Sequence, residues 1–213
     1  MSTQELSYQS SLYLNYFGIS ENAYSAKINW YESHFKQLQS LSEKAKTEIE
    51  LDYTLSLFHV GRYHQYIAQS DVMIEKVIEQ NIIELHGEDI YQKLLFNKAA
   101  CYYNTSQFDA SLHIVLELCK MDKGSKLYKN FCIKLLRLCS YRKFDRLKGL
   151  ALGLILVALL IIIAEILLIR TIMTSYIQPV ELARNILLGS SFILLAWNEL
   201  KIQSYIRKKM ASK

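Results

Sequence analysis

Glu165, Arg184 and Asn185 are the side chains best placed to do chemistry in this chain, because each is a polar group set in or beside an apolar run. Glu165 is the only charge in the 21 residues Gly149–Ile169, GLALGLILVALLIIIAEILLI. A charge at the centre of a bilayer costs about 2.5–3.5 kcal/mol on insertion scales, and less near an interface. Three roles are open to this carboxylate. It can pair with Arg184, across a hairpin or between subunits. It can reach for the outer surface, or a ring of such carboxylates can line a cation path in an oligomer. Glu181 and Arg184 are three residues apart, so they share a helix face and can also pair.

Other reactive types are grouped less productively. His59 and His64 are five apart with Gly61 between them, so they do not share a helix face and read as polar surface, not ligands. Glu84, His86, Glu88 and Asp89 surround Gly87 in ELHGED, which suits either a weak cation site or an exposed interhelix loop. Cys101, Cys119, Cys132 and Cys139 lie in apolar helical patterns without a CxxC or metal spacing, and read as reduced core residues of a cytosolic domain. The sequence has no phosphate loop, GxSxG, HExxH or EF-hand pattern. A protein that is not an enzyme, with no catalytic residue, metal or cofactor, is expected.

The elements that must position these groups are helices. One Pro and seven Gly in 213 residues argue against a strand-and-turn sandwich. The net charge of +5 divides unevenly: residues 1–133 hold 12 Lys/Arg against 16 Asp/Glu, and residues 134–213 hold 13 against 4. The basic residues flank apolar runs, which points to a membrane and not to nucleic acid. The N-terminus, MSTQELSYQSSLYLNYFG, is polar and reads as no signal peptide, so the soluble part is expected to stay where it is made.

Gly149–Ile169 is long enough to cross a hydrocarbon core of about 30 Å as a helix. A second run, Asn185–Asn198, reaches that length only when extended to Val180–Leu200, where Trp197 suits an interface. The rival reading lays 180–205 flat on the bilayer as an amphipathic helix. Lys134, Arg137, Arg142, Lys143, Arg146 and Lys148 precede the first span, and Lys201, Arg207, Lys208, Lys209 and Lys213 follow the second. The positive-inside rule then places both termini in the cytosol, in an inner membrane if the source is bacterial. Gly149 and Gly153 form a GxxxG, and Gly189-Ser190-Ser191 is a second small patch that permits close helix approach.

Residues 1–145 read as helices at 4–17, 21–40, 43–60, 63–83, 88–104, 107–121 and 126–146, with Ser20, Ser42, Ser106 and Ser125 as N-caps and Gly18, Gly61 and Gly124 as stops. Thirteen of the tyrosines fall here, suited to helix-pair cores and interfaces alike, and residues 17–35 are aromatic beyond the needs of one face. Within LLFNKAACYYNTSQFDASLHIVLELCKMD, Leu94–Asp122, the order is Leu95, Ala99, Tyr102, Phe108, Ser111, Val115 and Leu118. This stretch resembles a tetratricopeptide repeat, with Lys123 where that repeat usually ends in Pro and Ser111 in place of Ala. Leu57–Ile67 looks like a degraded second copy. Tyr63 to Phe108 is 45 residues, against roughly 34 for a standard repeat, so an extended helix is expected between them. Phe144-Asp145, 36 residues after Phe108-Asp109, suggests a third pair whose second helix is the first membrane span, rigidly joined. The resemblance implies a peptide- or protein-binding stripe at Lys93, Asn97, Ala100, Tyr103 and Asn104.

The expected architecture is all-α, a tetratricopeptide-like helical-hairpin array followed by two transmembrane helices. Its parts are 1–145 (cytosolic array), 146–172 (first span), 173–179 (external turn), 180–203 (second span) and 204–213 (basic cytosolic tail). The expected function is a membrane-anchored adaptor that holds a protein or peptide at the lipid bilayer, with a homo-oligomer open to it and no nucleic acid as partner. The alternative is a small oligomeric effector or pore whose cytosolic domain senses a signal.

Overall fold

The computed structural model describes residues 11–85, 87–169 and 177–211, without the side chains of 85, 141–146, 168, 169, 177, 210 and 211. The expected start of the first helix at 4–10, His86, residues 173–176 of the turn and the Phe144-Asp145 pair therefore fall outside what is described. Among the described residues the fold is all-α apart from one two-residue β-ladder. It divides into two units, Met1–Cys132 and Ile133–Lys213.

The first unit is an array in which sequence neighbours pack on one another. Its helices are α1 (Ser11–Phe17), α2 (Tyr24–His34), a 3-10 turn (Gln37–Ser40), α3 (Glu43–Val60), α4 (Tyr63–Glu79), α5 (Ile90–Asn104) and α6 (Phe108–Met121). Helix α2 packs on α3, α3 on α4, α4 on α5 and α5 on α6. Local chemistry sets the ends. Ser42 caps α3 by accepting from the Ala45 N–H, and Gly61, at φ +82°, closes it in the left-handed region that favours glycine. Ser125 accepts from the Tyr128 N–H at the start of the next helix. Ser20 and Ser106 are not caps: α2 starts after Ala23 and α6 after Gln107. Ser106 instead makes the α5–α6 turn at φ 62°.

The 45-residue spacing is filled by a loop, not by a longer helix. Helix α4 ends at Glu79, and the acidic stretch that suited either a weak cation site or an interhelix loop forms a tiny antiparallel ladder of β1 (Glu84–Leu85) and β2 (Glu88–Asp89). Gly87, at φ +78°, turns the ladder, and Asp89 caps α5 by accepting from the Gln92 N–H at 2.9 Å.

One core joins α2 through α5 around Ile28, Leu57, Tyr66, Met73 and Leu94; a second holds Tyr16, Tyr31, Leu38 and Ile49. Burying a phenol requires a partner for its hydroxyl. Tyr66 donates to the Leu94 carbonyl at 3.1 Å, and Tyr16 to Asp52 at 2.8 Å. Ala99 and Ser111 are fully buried, and the Ser111 hydroxyl donates to the Ala99 carbonyl at 2.7 Å. These two small residues let α5 and α6 approach, as expected from their size. Phe108 meets Tyr103 at the turn, with ring centroids 5.7 Å apart. The four cysteines are free thiols, and burial pushes that of Cys101 up to about 12.

The second unit holds most of α7 (Lys126–Ala164), whose helix begins in the first unit, and α8 (Ile177–Ala211). The expected helix at 126–146 thus continues without a break to Ala164.

Two outcomes follow. Ser111→Leu should destabilise the full chain in detergent by about 1–3 kcal/mol through overpacking, against about 1 kcal/mol for Ser111→Ala, read by denaturant melts. Burial raises the phenol pKa values of Tyr16, Tyr31 and Tyr66. An acid whose folded pKa exceeds its unfolded value of about 10 adds stability below pH ~10 that is lost as pH rises through the folded value. The thermal midpoint should therefore hold level up to about pH 9.5 and fall above it, less steeply in Tyr66→Phe.

Candidate functional site

Past Leu147 much of α7 and of the turn that follows it is an exposed apolar sheath. Leu150, Leu152, Leu156, Leu160, Ile163 and Ile166 are all exposed. On α8, Leu182, Ile186, Phe192, Ile193 and Trp197 do the same. Both helices are long and apolar enough to cross a membrane, over Leu147–Leu167 and Gln178–Lys209. The second is longer than the expected 180–203: its 35 residues make a rod of about 52 Å. Pro179 sits in its first turn, where the missing N–H has no intrahelical acceptor to lose.

At Glu165–Ile169 the first of these helices widens into a π-helical turn that opens at Glu165. The Glu165 side chain is 1% exposed, and Arg184 Nη1 donates to its Oε2 at 2.6 Å. Arg184 Nε and Nη2 both donate to Asn185 Oδ1 at 3.3 Å. The guanidinium therefore bridges Glu165 and Asn185 and is not directed at Glu181. Of the three roles open to Glu165, pairing within the chain is the geometry found. The structure brings Glu165, Arg184 and Asn185 together.

That pair fixes a register. The buried positions Ala151, Ala158 and Glu165 recur every seven residues on one helix, and Arg184, Ser191 and Asn198 recur every seven on the other. Seven-residue spacing defines a left-handed seam. Counting heptads back from Glu165 and forward from Arg184 sets Ala158 opposite Ser191 and Ala151 opposite Asn198. All four are buried, which agrees with an antiparallel pair. Ser191 donates its hydroxyl to the Leu188 carbonyl at 2.7 Å, so its polarity is absorbed by its own helix. Asn198 Oδ1 is buried with no hydrogen-bond partner among the described residues. The glycines play a different part from Ser191. A Cβ placed at Gly149, Gly153 or Gly189 would meet nothing within 4 Å, so they do not serve packing inside this chain.

The stripe implied by the repeat resemblance does not form one open face. Asn97 is 7% exposed and hydrogen-bonded to Tyr66. Tyr103 packs against Phe108 and Phe131, Lys93 pairs with Glu88, and Ala100 is half-buried, leaving Asn104 exposed. His59 stacks on Tyr24 at 4.3 Å, and no group of three His, Cys, Asp or Glu among the described residues could hold a metal.

A second polar centre, not singled out by motif or periodicity, lies in the first unit. Lys27, buried on α2, pairs with Asp52 on α3 at 3.0 Å. Tyr13 and Tyr16, one turn apart on α1, donate to Glu48 and Asp52, one turn apart on α3. The matched spacing of tyrosines and carboxylates was the available signal.

Breaking a buried ion pair from one side costs about 3–5 kcal/mol, because the other charge stays buried without a partner. Arg184→Ala should therefore destabilise the hairpin more than Arg184→Ala combined with Glu165→Ala, and the double-mutant cycle in detergent should return a coupling of about 2 kcal/mol or more. Compared with family models, with curated proteins and with solved structures, this chain finds no match.

Proposed function

We propose that the chain is a membrane-anchored adaptor: a cytosolic array of helical hairpins that captures a protein partner and is held at the bilayer by a two-helix hairpin. The observation that carries the anchor is the exposed leucine, isoleucine and phenylalanine sheath on two helices of spanning length. In water such a surface would aggregate; in lipid it is solvated. A soluble core helix of the same composition would be buried, and these are open on most of their surface.

Basic residues frame the two helices, with Lys134, Arg137 and Lys148 on one and Lys201, Arg207, Lys208 and Lys209 on the other. By the positive-inside rule they keep both ends of the hairpin cytosolic. Trp197 and Lys201, with the ammonium 5.8 Å from the ring centroid, suit the headgroup boundary between sheath and charge. The array supplies the binding surface, and its resemblance to a tetratricopeptide repeat supports a peptide or protein as the partner. The buried pairing of Glu165 with Arg184 favours a structural lock over a carboxylate ring that conducts cations.

The test has three readings. The full chain should stay in the membrane fraction through alkaline carbonate, and reporters fused at either terminus should both report the cytosol. Liposomes carrying it should leak ions no faster than empty ones, with Glu165→Gln unchanged. A leak that Glu165→Gln abolishes would replace the adaptor with the effector reading.

A further inference from the structure

The first unit carries two exposed patches of complementary chemistry. One lies where α4 gives way to the β-ladder. Val77, Ile78, Ile82, Ile83 and Tyr91 line an open cleft of about 230 Å³, more than the roughly 150 Å³ that takes up a benzene-sized group. Ile78 is 61% exposed and Ile83 65%. Single exposed aliphatic side chains are ordinary on a soluble surface, but two on one cleft form a patch that a partner can cover.

This cleft has an acidic rim. From Glu75 to Asp89 the sequence holds five carboxylates against one lysine, Lys76, and that lysine is engaged with Glu50. Glu79 and Glu84 follow Ile78 and Ile83 in the chain and are exposed, and neither pairs with a cation among the described residues. The ladder sets Glu84 directly opposite Asp89, which itself lines the cleft. Like charges directly opposite across two strands are unfavourable, and a cation brought to them relieves the repulsion.

The second patch is the α6–α7 turn. Met121 ends α6 with 48% of its surface exposed, and Leu127, in the first turn of α7, has 58% exposed. Around them stand Lys123, Lys126 and Lys129, all exposed and none in an ion pair among the described residues. Asp122 is the single acid in residues 121–130. It is directed at its own loop, accepting from the Gly124 N–H at 2.8 Å and the Ser125 N–H at 3.1 Å. The cleft calls for an aliphatic group flanked by cations, and the turn presents one. Both patches are exposed, so one copy does not satisfy them by itself.

We propose that the two patches join copies of this chain head to tail. Leu127 of one copy enters the cleft between Ile78 and Ile83 of the next, and Lys123 and Lys126 face Glu79 and Glu84. Such a contact is heterologous: each added copy leaves one patch open, and assembly continues until a ring closes. It does not rest on the adaptor reading.

Light scattering of the full chain in detergent, across a dilution series, tests it. The parent should grow past a dimer with concentration and shrink as salt is raised. Glu79→Lys with Glu84→Lys makes an acid-reversed chain, and Lys123→Glu with Lys126→Glu makes a base-reversed one. Each alone should need about tenfold more protein or greater to assemble, because like charges then meet at the contact. Both should melt like the parent, since all four positions are exposed. Mixed together, the two reversed chains should assemble at parent concentrations, because every cleft again meets the opposite charge. Leu127→Ser should weaken assembly severalfold with the charges unchanged. A parent that stays a single copy throughout, reversed chains that assemble as the parent does, or a mixture no better than its components would overturn the proposal. Association through the membrane helices alone would survive both reversals and so gives the second of these results.

Discussion

A carboxylate buried in an apolar helix has to be neutralised, and that constraint organises the C-terminal unit. Desolvating an ion costs several kcal/mol, and only a close partner with further hydrogen bonds offsets it. Glu165 obtains that partner from the neighbouring helix in Arg184, whose remaining donors reach Asn185. The pair is directional, so it does what leucine contacts cannot: it selects one register for two otherwise greasy rods. Ala151 and Ala158 on one helix and Ser191 and Asn198 on the other are buried at seven-residue steps from that fixed point. The π-helical turn begins at Glu165 itself, where one extra residue per turn re-aims the side chains that follow.

The first unit solves a related problem with phenols. The described part of α1 is seven residues, Ser11–Phe17, a length that is marginal by itself. It is tied down by Tyr13 and Tyr16, whose hydroxyls reach the carboxylates of α3 while their rings fill space. Tyr66 repeats the device deeper in, its ring in the core and its hydroxyl on a backbone carbonyl. Aromatic side chains give area at low entropy cost, and satisfied hydroxyls make the packing specific. The tyrosine-rich composition is therefore a means of joining short helices.

The adaptor reading joins the two solutions in function. A hairpin with a lipid-compatible outside and a locked inside makes an anchor, and an array of paired helices offers ridged surface for a partner. Ala99 and Ser111 let α5 and α6 approach closely, with the Ser111 hydroxyl donating to the Ala99 carbonyl. Asn97 and Tyr103, taken from the repeat resemblance as contact residues, are occupied by neighbours inside the array.

Periodicity, length and charge made much of this legible in advance. Helix α3 was readable to its ends because Ser42 and Gly61 act on the backbone within one turn. Two apolar spans were readable because transfer into lipid depends on composition and length, which are properties of the string. The pairing of Glu165 with Arg184 was readable only as one of three options, since partner choice depends on how the chain returns. What no local rule contained was the loop that fills the 45-residue spacing, the burial of Asn97, and the meeting of Lys27, Glu48 and Asp52 beneath two tyrosines. The last two depend on contacts between residues some 25 to 36 positions apart, such as Lys27–Asp52 and Tyr16–Asp52. The sequence by itself determined the helices, their apolar faces and the basic flanks, because those effects act within a turn or along a segment. Only the tertiary structure decided which polar groups meet, because in the folded chain each buried charge or hydroxyl must find its partner among residues that sequence distance does not rank.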